Sequence, residues 1–456
     1  MRSMILSNWS LDADETTYAV IADHMLNGAV LYKDVIDIKQ PGIFLIFALI
    51  QIIFGKSILV IRLITVLFIS GSAFFLYRAK RHLQLGFSSA FLSAIVFILM
   101  CNFYFGFASN AENFFLFFIS FGIYRFLTAF NPLQYLTAGL IFGLAFIIKQ
   151  LAIFDFAAVG LFFLISSIVK KEFIQQFSHM ALMVIGFFIP FACVHLVYFW
   201  KGYYDYYHFV TYVAPGNYMN PKEWSATLAF LLKGILVYLP FFILGLLSLT
   251  SKTWSKKTLW FIGLLLIFDL LAVSFTGMAH PHYYLQLSYP VSFAVGMIGS
   301  LPWVMRLMSK RYMVAALSAI GLVYMIFLFH FYYKRYVVRP NYTKELALYA
   351  ENVMPQNATL YAGDAPQFLY WYLDKTSPTP YVHSTLMMRD AHIQTLEIDV
   401  EKELVRIFNT EPDFIILSEE YRYGWFKEMV TNSYRKIGKE GDFEFYKQKS
   451  GDGNSE

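Results

Sequence analysis

Charged residues are scarce in this sequence. Of its 456 residues, 15% are Asp, Glu, Lys or Arg, whereas a typical soluble domain carries about 25%. The formal net charge is only +5, and the basic residues cluster at the ends of apolar runs. Proteins that bind nucleic acid instead concentrate Lys and Arg on one surface. The scarcity of charge therefore indicates a lipid environment and excludes nucleic acid as an expected partner.

Cysteine is rarer still. The two cysteines, Cys101 and Cys193, both lie inside apolar runs, which excludes a disulfide framework and a CxxC-type metal site. We expect both to be buried packing residues, because free cysteine behaves as a small hydrophobic side chain. We also expect no secretory signal peptide, since the opening MRSMILSNWS has no apolar core before the first acids.

Apolar and aromatic residues are abundant. Hydrophobic residues make up 58% of the chain and aromatic residues 19%, and the mean hydropathy is +0.51. A spanning helix needs about 20 mostly apolar residues, so the sequence predicts an α-helical polytopic membrane protein with about ten spans. The candidate spans lie near 57–80, 86–105, 112–129, 133–149, 151–169, 178–200, 226–249, 258–277, 283–301 and 312–333. The run GIFLIFALIQIIFG after Pro41 is shorter, and we expect it to lie at the interface or to insert partway.

The distribution of Lys and Arg between short loops predicts the orientation, because cytoplasmic loops are enriched in both. Basic residues follow the first, fifth, seventh and ninth spans, near 78–81, 170–171, 252–257 and 306–311, whereas the loop 130–134 after the third span is poor in charge, with only Arg125 nearby. The basic loops are expected in the cytoplasm. The segments between them are then extracytoplasmic: the opening stretch, 106–113, 149–150, 201–224, 276–284 and everything after 334.

The composition changes after Arg335. NATLYAGDAPQFLYWYL has the pattern of a strand, a turn and a helix, and VEKELVRIFNTEPDFIILSEE that of a helix, a turn and a buried strand. DFEFYKQ is expected to form a closing edge strand. About 115 residues can bury a core of their own. The sequence thus predicts a membrane domain over 1–333 and a small extracytoplasmic α/β domain over 334–456.

Ionisable side chains are gathered in the segments predicted to be extracytoplasmic. They are Asp12, Asp14, Glu15 and Lys39 in the first outward loop at about 8–56, and Glu112, Lys149, His280 and His282 in later ones. Membrane proteins avoid such residues because their desolvation is expensive, so a cluster on one side predicts a functional site.

The first outward loop also carries a helical pattern. Tyr18, Ile21, Ala22 and Met25 recur at helical spacing and predict an amphipathic helix that lies on the membrane surface. The acids at its start have two interpretations: they belong to the site, or they only cap the helix and favour its dipole.

The order of several motifs resembles a known superfamily. DETTYA is followed by YKDVIDIKQPG and FGKSILVIRL, and then by ASNAENFF, GLAFIIKQ and HPHYYLQLSYP at later loop ends. This series resembles the GT-C glycosyltransferases, most closely the protein mannosyltransferases of glycosyltransferase family 39 and the bacterial aminoarabinose transferases. The resemblance covers about 1–300 and is weak in the C-terminal part.

The resemblance implies a GT-C fold and a membrane glycosyltransferase. Such an enzyme takes a sugar from a polyprenyl-phosphate donor and passes it to an acceptor hydroxyl at the outer face of the membrane, usually with inversion. The expected partners are the lipid-linked sugar donor, the lipid bilayer and an acceptor that is a glycan, a lipid or a protein. The expected location is the plasma membrane of a bacterium, with the active site and the C-terminal domain outside the cytoplasm.

The resemblance also assigns roles in the first two outward loops. Asp14 matches the family's first-loop acid and is expected to be the general base, with Glu15 beside it as a further catalytic candidate. Lys39 matches the loop lysine, which implies contact with the donor phosphate. Glu112 matches the second outward acid and would orient the acceptor or the sugar. The alternative for Glu112 is a solvated residue at a helix start.

Four later residues are weaker candidates for binding the donor phosphate: Lys149, His280, His282 and Tyr283. Lys149 has the alternative of extending from a helix end toward water. Tyr283 has the alternative of belonging to the aromatic belt at the membrane interface. For His280 and His282, contact with phosphate or with a metal is the expected role.

Two features depart from the family pattern. The aminoarabinose transferases carry a zinc-binding Glu just before the loop lysine, whereas Ile38 stands there in this chain and Asp37 one position earlier. The sequence therefore establishes no cofactor and leaves a divalent metal open, because Asp37 with His280 or His282 offers oxygen and nitrogen ligands. Relatives also have a transmembrane helix before this loop, and a misplaced start, a truncated chain and a dispensable helix are all open explanations.

Two other functions compete with the enzyme. A carrier or lipid flippase would show paired repeats or broken polar helices near the midplane, whereas here the polar groups crowd one side and no repeat is visible. A non-catalytic scaffold for the C-terminal domain leaves the clustered acids unexplained. The enzyme hypothesis requires Asp14, Lys39, Glu112 and a histidine to converge on one cavity.

Overall fold

The computed structural model describes residue 6 and residues 12–102, 106–218, 224–275, 280–333 and 342–449. The predicted α-helical architecture with a small C-terminal sheet is confirmed. The helices up to residue 333 are α1 Ala13–Leu26, α2 Pro41–Phe54, α3 Ile58–His82, α4 Phe87–Met100, α5 Ala111–Leu127, α6 Pro132–Ile148, α7 Ala152–Val169, α8 Phe173–Trp200, α9 Tyr204–His208, α10 Ala214–Tyr218, α11 Trp224–Val237, α12 Leu239–Ser248, α13 Lys256–Phe275, α14 Ser288–Gly296, α15 Pro302–Met308 and α16 Arg311–Tyr333.

Helix starts follow local sequence signals. The side chains of Asp12, Ser57 and Asn131 each accept a hydrogen bond from a backbone N–H in the first turn of α1, α3 and α6, which satisfies one of the donors that a helix start leaves free. Pro41 and Pro132 occupy the first positions of α2 and α6, where the missing N–H costs nothing.

Within the described residues, four helices are long and apolar enough to cross a membrane: α3, α7, α8 and α13. The predicted span at 226–249 is a pair of helices bent by 71°, because Pro240 at the start of α12 cannot continue the hydrogen-bond ladder of α11. The apolar helices α2, α4 and α6 are shorter. The total of about ten spans therefore stays a prediction.

The predicted span at 283–301 is wrong as a single helix. A 3₁₀ helix over Pro281–Leu287 is followed by α14 and by a second 3₁₀ helix over Met297–Ser300. Nearly all of this segment is buried, and a Cβ on Gly296 would overlap the Ser93 side chain of α4. Irregular backbone at membrane depth is tolerated where protein covers it, and the sequence pattern does not report such covering.

Helices α6 and α8 are packed with their backbones in close contact. A Cβ added to Gly139 would overlap the carbonyl oxygen of Met183, and one added to Gly186 would overlap that of Leu136. Small residues permit this approach between helices in a membrane protein. The contact fixes the direction of α6, whose C-terminal cap is Lys149.

Helix α1 has no exposed face, so the predicted one-sided surface helix is wrong. All residues from Glu15 to His24 are buried. One side packs on α2, and the other is covered by the helix Phe368–Tyr372 of the C-terminal unit (residues 342–449). The spacing of Tyr18, Ile21 and Ala22 predicts only the side of α1 that faces the membrane helices. It does not predict that the C-terminal unit covers the other side.

The C-terminal unit is a four-stranded sheet with helices. Its elements are α17 Tyr342–Val353, β1 Leu360–Ala362, α18 Phe368–Tyr372, α19 Asp390–Thr395, α20 Val400–Phe408, β2 Phe414–Ser418, α21 Gly424–Ser433, β3 Tyr434–Glu440 and β4 Phe443–Gln448. The strand order is β1-β2-β4-β3, with β1 and β2 parallel and the other pairs antiparallel. DFEFYKQ is therefore a central strand, not the predicted edge. The edge strands are β1 and β3, and β3 is rich in charged residues, as is common for edges. The domain boundary at 333/334 stays a prediction, because 334–341 lie outside the described residues.

The two cysteines differ in burial. Cys101 is buried as predicted, but Cys193 on α8 is exposed. Only 22% of the most apolar window of α8 is buried inside the protein. An apolar run in a membrane protein can be covered by lipid instead of protein, so an apolar neighbourhood in the sequence does not predict burial within the fold.

Candidate active site

A cavity of about 630 Å³ lies between the membrane helices and the C-terminal unit. Its polar side chains come from six separate segments: Asp12, Asp14, Asp37, Lys39, Gln40, Lys149, Gln150, Tyr212, His280, His282, Tyr283, His383, Thr385, Arg389 and His392. Six of the eight predicted site residues line this space directly: Asp14, Lys39, Lys149, His280, His282 and Tyr283. Glu15 and Glu112 do not line it. Glu112 stands immediately behind Lys149.

Local structure explains why the two lysines approach each other. Lys39 is next to Gln40, the N-terminal cap of α2, and Lys149 is the C-terminal cap of α6. A Cβ on Gly42 would stand 2.5 Å from the carbonyl oxygen of Ile147. Glycine is therefore needed in the QPG motif, where the start of α2 meets the end of α6.

Asp14 and Lys39 form an ion pair at the cavity wall. The Lys39 Nζ lies 3.2 Å from Asp14 Oδ1 and 3.4 Å from Asp37 Oδ1. The Lys39 backbone N–H also donates to Asp37 Oδ1, at 3.0 Å, and the Tyr18 hydroxyl donates to Asp14 Oδ2, at 3.3 Å. Tyr32 donates to the Lys39 carbonyl, at 2.8 Å. The pair is thus held from both sides.

The charges of this pair stabilise each other. Burial alone would raise the pKa of Asp14, but the ammonium of Lys39, with smaller effects of His282 and His383, outweighs burial and lowers that pKa. Burial alone would lower the pKa of Lys39, but Asp14 and Asp37 raise it. Both groups are therefore ionised near neutral pH.

Asp12 behaves differently from Asp14. Its side chain accepts the Asp14 backbone N–H at 2.9 Å, so Asp12 is the helix cap that the sequence allowed. Asp12 also lines the cavity. Burial, and secondly the charge of Asp14, raise the pKa of Asp12 to about 7. Asp12 is thus both a cap and a titrating group near neutral pH.

A second ion pair faces the cavity. Lys149 Nζ contacts Glu112 Oε1, and His282 Nε2 lies 3.8 Å from the same oxygen. The Lys149 ammonium lies 4.0 Å from the ring centroid of Tyr283, a cation–π geometry. Glu112 is 2% exposed, so it is not the solvated helix-start residue that was the alternative. Lys149 likewise does not extend freely into water.

The histidines of HPH are neutral. The rings of His280 and His282 are stacked, with centroids 5.5 Å apart. Burial, and secondly the proximity of His282, lower the pKa of His280 to about 4. Burial also lowers the pKa of His282, although Glu112 opposes this effect. Neutral imidazoles bind a phosphate as single hydrogen-bond donors, not as cations.

Glu15 does not line the cavity. Its Oε1 lies 2.7 Å from Nη2 of Arg62, and its Oε2 accepts the Ser109 backbone N–H at 2.8 Å. The side chains of Glu15 and Arg62 are 0% and 1% exposed. Glu15 is therefore a structural residue that ties α1 to α3 and to the loop before α5. Arg62 belongs to the quoted FGKSILVIRL motif, which is the signal that could have identified this pair.

The described residues also bear on the predicted metal alternative. No group of three or more His, Cys, Asp or Glu side chains in the described part of the chain is arranged to hold a metal ion. Asp37 instead binds the backbone and the ammonium of Lys39. Asp37, His280 and His282 share the cavity wall, but we assign them no metal.

Sequence reasoning missed the C-terminal contribution. His383, Thr385, Arg389 and His392 line the cavity. The segment 201–224, predicted to be extracytoplasmic, also contributes Tyr212, although 219–223 lie outside the described residues. No local motif marks these residues, because they reach the cavity through the docking of the C-terminal unit on α1.

Comparisons with known proteins agree with this architecture. Residues 39–198 match the family model described as dolichyl-phosphate-mannose-protein mannosyltransferase. Among curated proteins, none matches the chain significantly. ArnT from Cupriavidus metallidurans, in its crystal structure bound to undecaprenyl phosphate, is similar with a TM-score of 0.66 and 14% identity, over 98% of this chain and 96% of that one. The apo state of the same protein gives a TM-score of 0.62 and 13% identity, over 95% and 93% of the two chains.

The similarity of fold extends beyond the part of the sequence that carries the motifs. The motifs end near residue 300, whereas the structural match includes almost the whole chain and hence the C-terminal unit. Identity of 14% supports a common fold and no finer statement. The predicted resemblance to GT-C proteins is confirmed: part of the chain matches the mannosyltransferase family model, and the chain has a fold similar to that of ArnT.

Proposed function

We propose that this protein is a membrane glycosyltransferase that moves a sugar from a polyprenyl-phosphate donor to an acceptor hydroxyl, with inversion, at the outer face of a bacterial plasma membrane. The observation that carries the proposal is the Asp14–Lys39 pair, 3.2 Å apart on the wall of a cavity of about 630 Å³. Ligand pockets of this size, about 300–1,000 Å³, suit small molecules and lipid head groups.

The proposed roles follow from the chemistry of the two bonds. The bond between the anomeric carbon and the phosphate oxygen breaks, and the electron pair goes to the phosphate. Lys39, Lys149 and the N–H groups of His280 and His282 stabilise the charge that develops there. The acceptor oxygen bonds to the anomeric carbon from the opposite face, and Asp14 takes its proton.

The Asp14–Lys39 contact belongs to the resting site. In an inverting transfer the acceptor and the leaving group lie on opposite faces of the sugar, so a base and a phosphate-binding cation cannot remain 3.2 Å apart. Donor phosphate would therefore compete with Asp14 for Lys39. Loss of the cation and arrival of an anion both raise the pKa of Asp14, which makes it a stronger base when the donor is bound.

The apolar part of the cavity suits the carrier lipid. The apolar side chains that line it include Phe146, Ile148, Leu151, Phe154 and Phe275. The cited ArnT structure holds undecaprenyl phosphate. The similar fold of this chain, together with Lys39 and Lys149 on the cavity wall, supports a similar donor here. The sugar and the acceptor, whether glycan, lipid or protein, are to be identified by experiment.

The proposal is tested in proteoliposomes with the full chain, a panel of synthetic polyprenyl-phosphate sugars labelled in the sugar, and an envelope extract from a strain that lacks the protein. We expect release of polyprenyl phosphate and labelled product from at least one donor. A flippase would move the intact donor between leaflets without breaking the sugar–phosphate bond. Movement without cleavage, or no cleavage of any donor, would contradict the proposal.

A further inference from the structure

The C-terminal unit contacts the helix that carries the candidate base. Three contacts between uncharged groups join this unit to α1, or to α2, on which α1 packs. Gln367 binds the first turn of α1, Trp371 Nε1 donates to Gln51 Oε1 at 3.1 Å, and the Ser377 backbone N–H donates to His24 Nε2 at 3.0 Å. Gln51 in turn donates to the Ala19 carbonyl, at 2.9 Å.

Gln367 is the contact nearest to Asp14. Its side-chain N–H groups face the Ala13 carbonyl at 3.0 Å, the Thr16 hydroxyl at 3.2 Å and the Thr17 hydroxyl at 2.8 Å. The residue is 3% exposed, so these bonds are not replaced easily by water. Asp14 lies in the same turn, between the residues that Gln367 holds.

The neighbours fix the orientation of the Gln367 amide. The Thr16 and Thr17 hydroxyls donate to the Ala13 carbonyl, at 2.9 and 2.8 Å, so only their oxygen lone pairs face Gln367. The amide nitrogen must therefore point at the helix. The amide oxygen accepts from the Ser384 hydroxyl, at 3.3 Å.

These bonds link two walls of the cavity. Ser384 is the neighbour of His383, which lines the cavity. On the other side of Gln367 is the turn with Asp14. The first turn of a helix has backbone donors without helical partners and frays most readily, so an external side chain that holds this turn has a large influence on its geometry.

We propose that Gln367 is a positioning residue for the transfer reaction: it holds the first turn of α1 so that the Asp14 carboxylate meets the acceptor hydroxyl. This inference rests on the proposed function for its effect on rate. It makes the C-terminal unit a working part of the active site, although Gln367 itself does not line the cavity.

The test uses the full chain in lipid nanodiscs with two substitutions. Gln367→Met keeps the length of the side chain and removes both polar groups, and Gln367→Glu keeps the shape and removes the N–H donors. Trp371→Phe is the matched control, because it removes one hydrogen bond of the same interface farther from Asp14. The readouts are amide hydrogen exchange over residues 13–18 and the kinetics of transfer.

The exchange experiment does not depend on activity. We expect the amides of residues 13–18 to exchange about 5-fold faster or more in both Gln367 variants, the factor that corresponds to one net hydrogen bond. Trp371→Phe should leave exchange at 13–18 close to that of the wild type. Unchanged exchange in the Gln367 variants would overturn the inference whatever the reaction is.

The kinetic experiment separates positioning from general stability. A misplaced base costs up to about 100-fold in rate, so kcat should fall roughly 10- to 100-fold with little change in KM for the donor. Trp371→Phe should retain kcat. In an Asp14→Asn background the Gln367 substitutions should cause no further loss, because they act through Asp14. Equal losses in both backgrounds would overturn positioning. A wild type without transfer would overturn the proposed function, and the rate effect with it, while the exchange result still decides the structural link.

Discussion

Replacement of Asp14 by Asn is the sharpest perturbation of the proposed chemistry. The amide keeps the size of the side chain and an oxygen that can accept from Tyr18, but it cannot take a proton at neutral pH. General base catalysis contributes about 10²–10⁴-fold, or about 3–5 kcal/mol of the barrier. We therefore expect kcat to fall by at least about 100-fold.

The same substitution should change stability little. The side chains of Asp14 and Lys39 are 18% and 23% exposed, and Asp37 remains 3.4 Å from the Lys39 ammonium. Lys39 thus keeps a counter-charge, and the loss should be on the order of 1 kcal/mol, as for partly exposed pairs, not the 3–5 kcal/mol of a broken buried pair. Thermal unfolding in detergent measures this difference.

The matched control is Asp23→Asn. Asp23 lies on the same helix and forms a similar pair, 2.8 Å from Lys56, but it does not line the cavity. The assay measures product formation from a labelled polyprenyl-phosphate sugar under single-turnover conditions. If Asp14→Asn kept a rate within about threefold of Asp23→Asn, well short of the loss of a general base, Asp14 would not be the base.

Three further predictions concern pH, pairing and packing. The pKa of Asp12 is raised from 3.8 to about 7, so between these pH values the folded chain holds a proton that the unfolded chain has released. Asp12 therefore makes folding less favourable as pH rises from about 4 to 7. Asp12→Asn should remove that part of the pH dependence of the unfolding temperature. Glu15→Ala should cost about 3–5 kcal/mol of stability because it leaves Arg62 buried without its carboxylate, so an unfolding temperature equal to that of the wild type would refute the structural role. Gly139→Ala should cost about 1–3 kcal/mol by pushing α6 from α8, whereas Gly160→Ala, where a Cβ meets nothing within 4 Å, is the control in the same unfolding assay.

The sequence predicted the parts of the site that local motifs encode. Lys39 and Lys149 could be found because each ends an apolar run or begins one, where a charge is unusual. Helix α1 and the strands at Phe414–Ser418 and Leu360–Ala362 could be predicted from the local spacing of apolar residues and from turn residues. Each of these signals lies within one short window of the chain.

Features that depend on distant packing could not be predicted. Glu15 stands next to Asp14 in the sequence, yet one faces Arg62 and the other the cavity. Adjacent residues on a helix point about 100° apart, and only the tertiary structure shows which of the two directions faces the cavity. His383 and Gln367 take their places through the docking of the C-terminal unit, which no period in the sequence reports.

Binding of undecaprenyl phosphate to Lys39 tests the central claim most directly. Phosphorus NMR of this lipid, titrated with the full chain in nanodiscs, would compare the wild type with Lys39→Gln and with Lys56→Gln, a lysine paired with Asp23 outside the cavity. Because a hydrogen bond to a charged group is worth about 1.5–3 kcal/mol, Lys39→Gln should weaken binding at least about 10-fold. Lys56→Gln should bind as the wild type does. Equal binding by Lys39→Gln and the wild type would contradict the claim that this ammonium receives the phosphate of the donor.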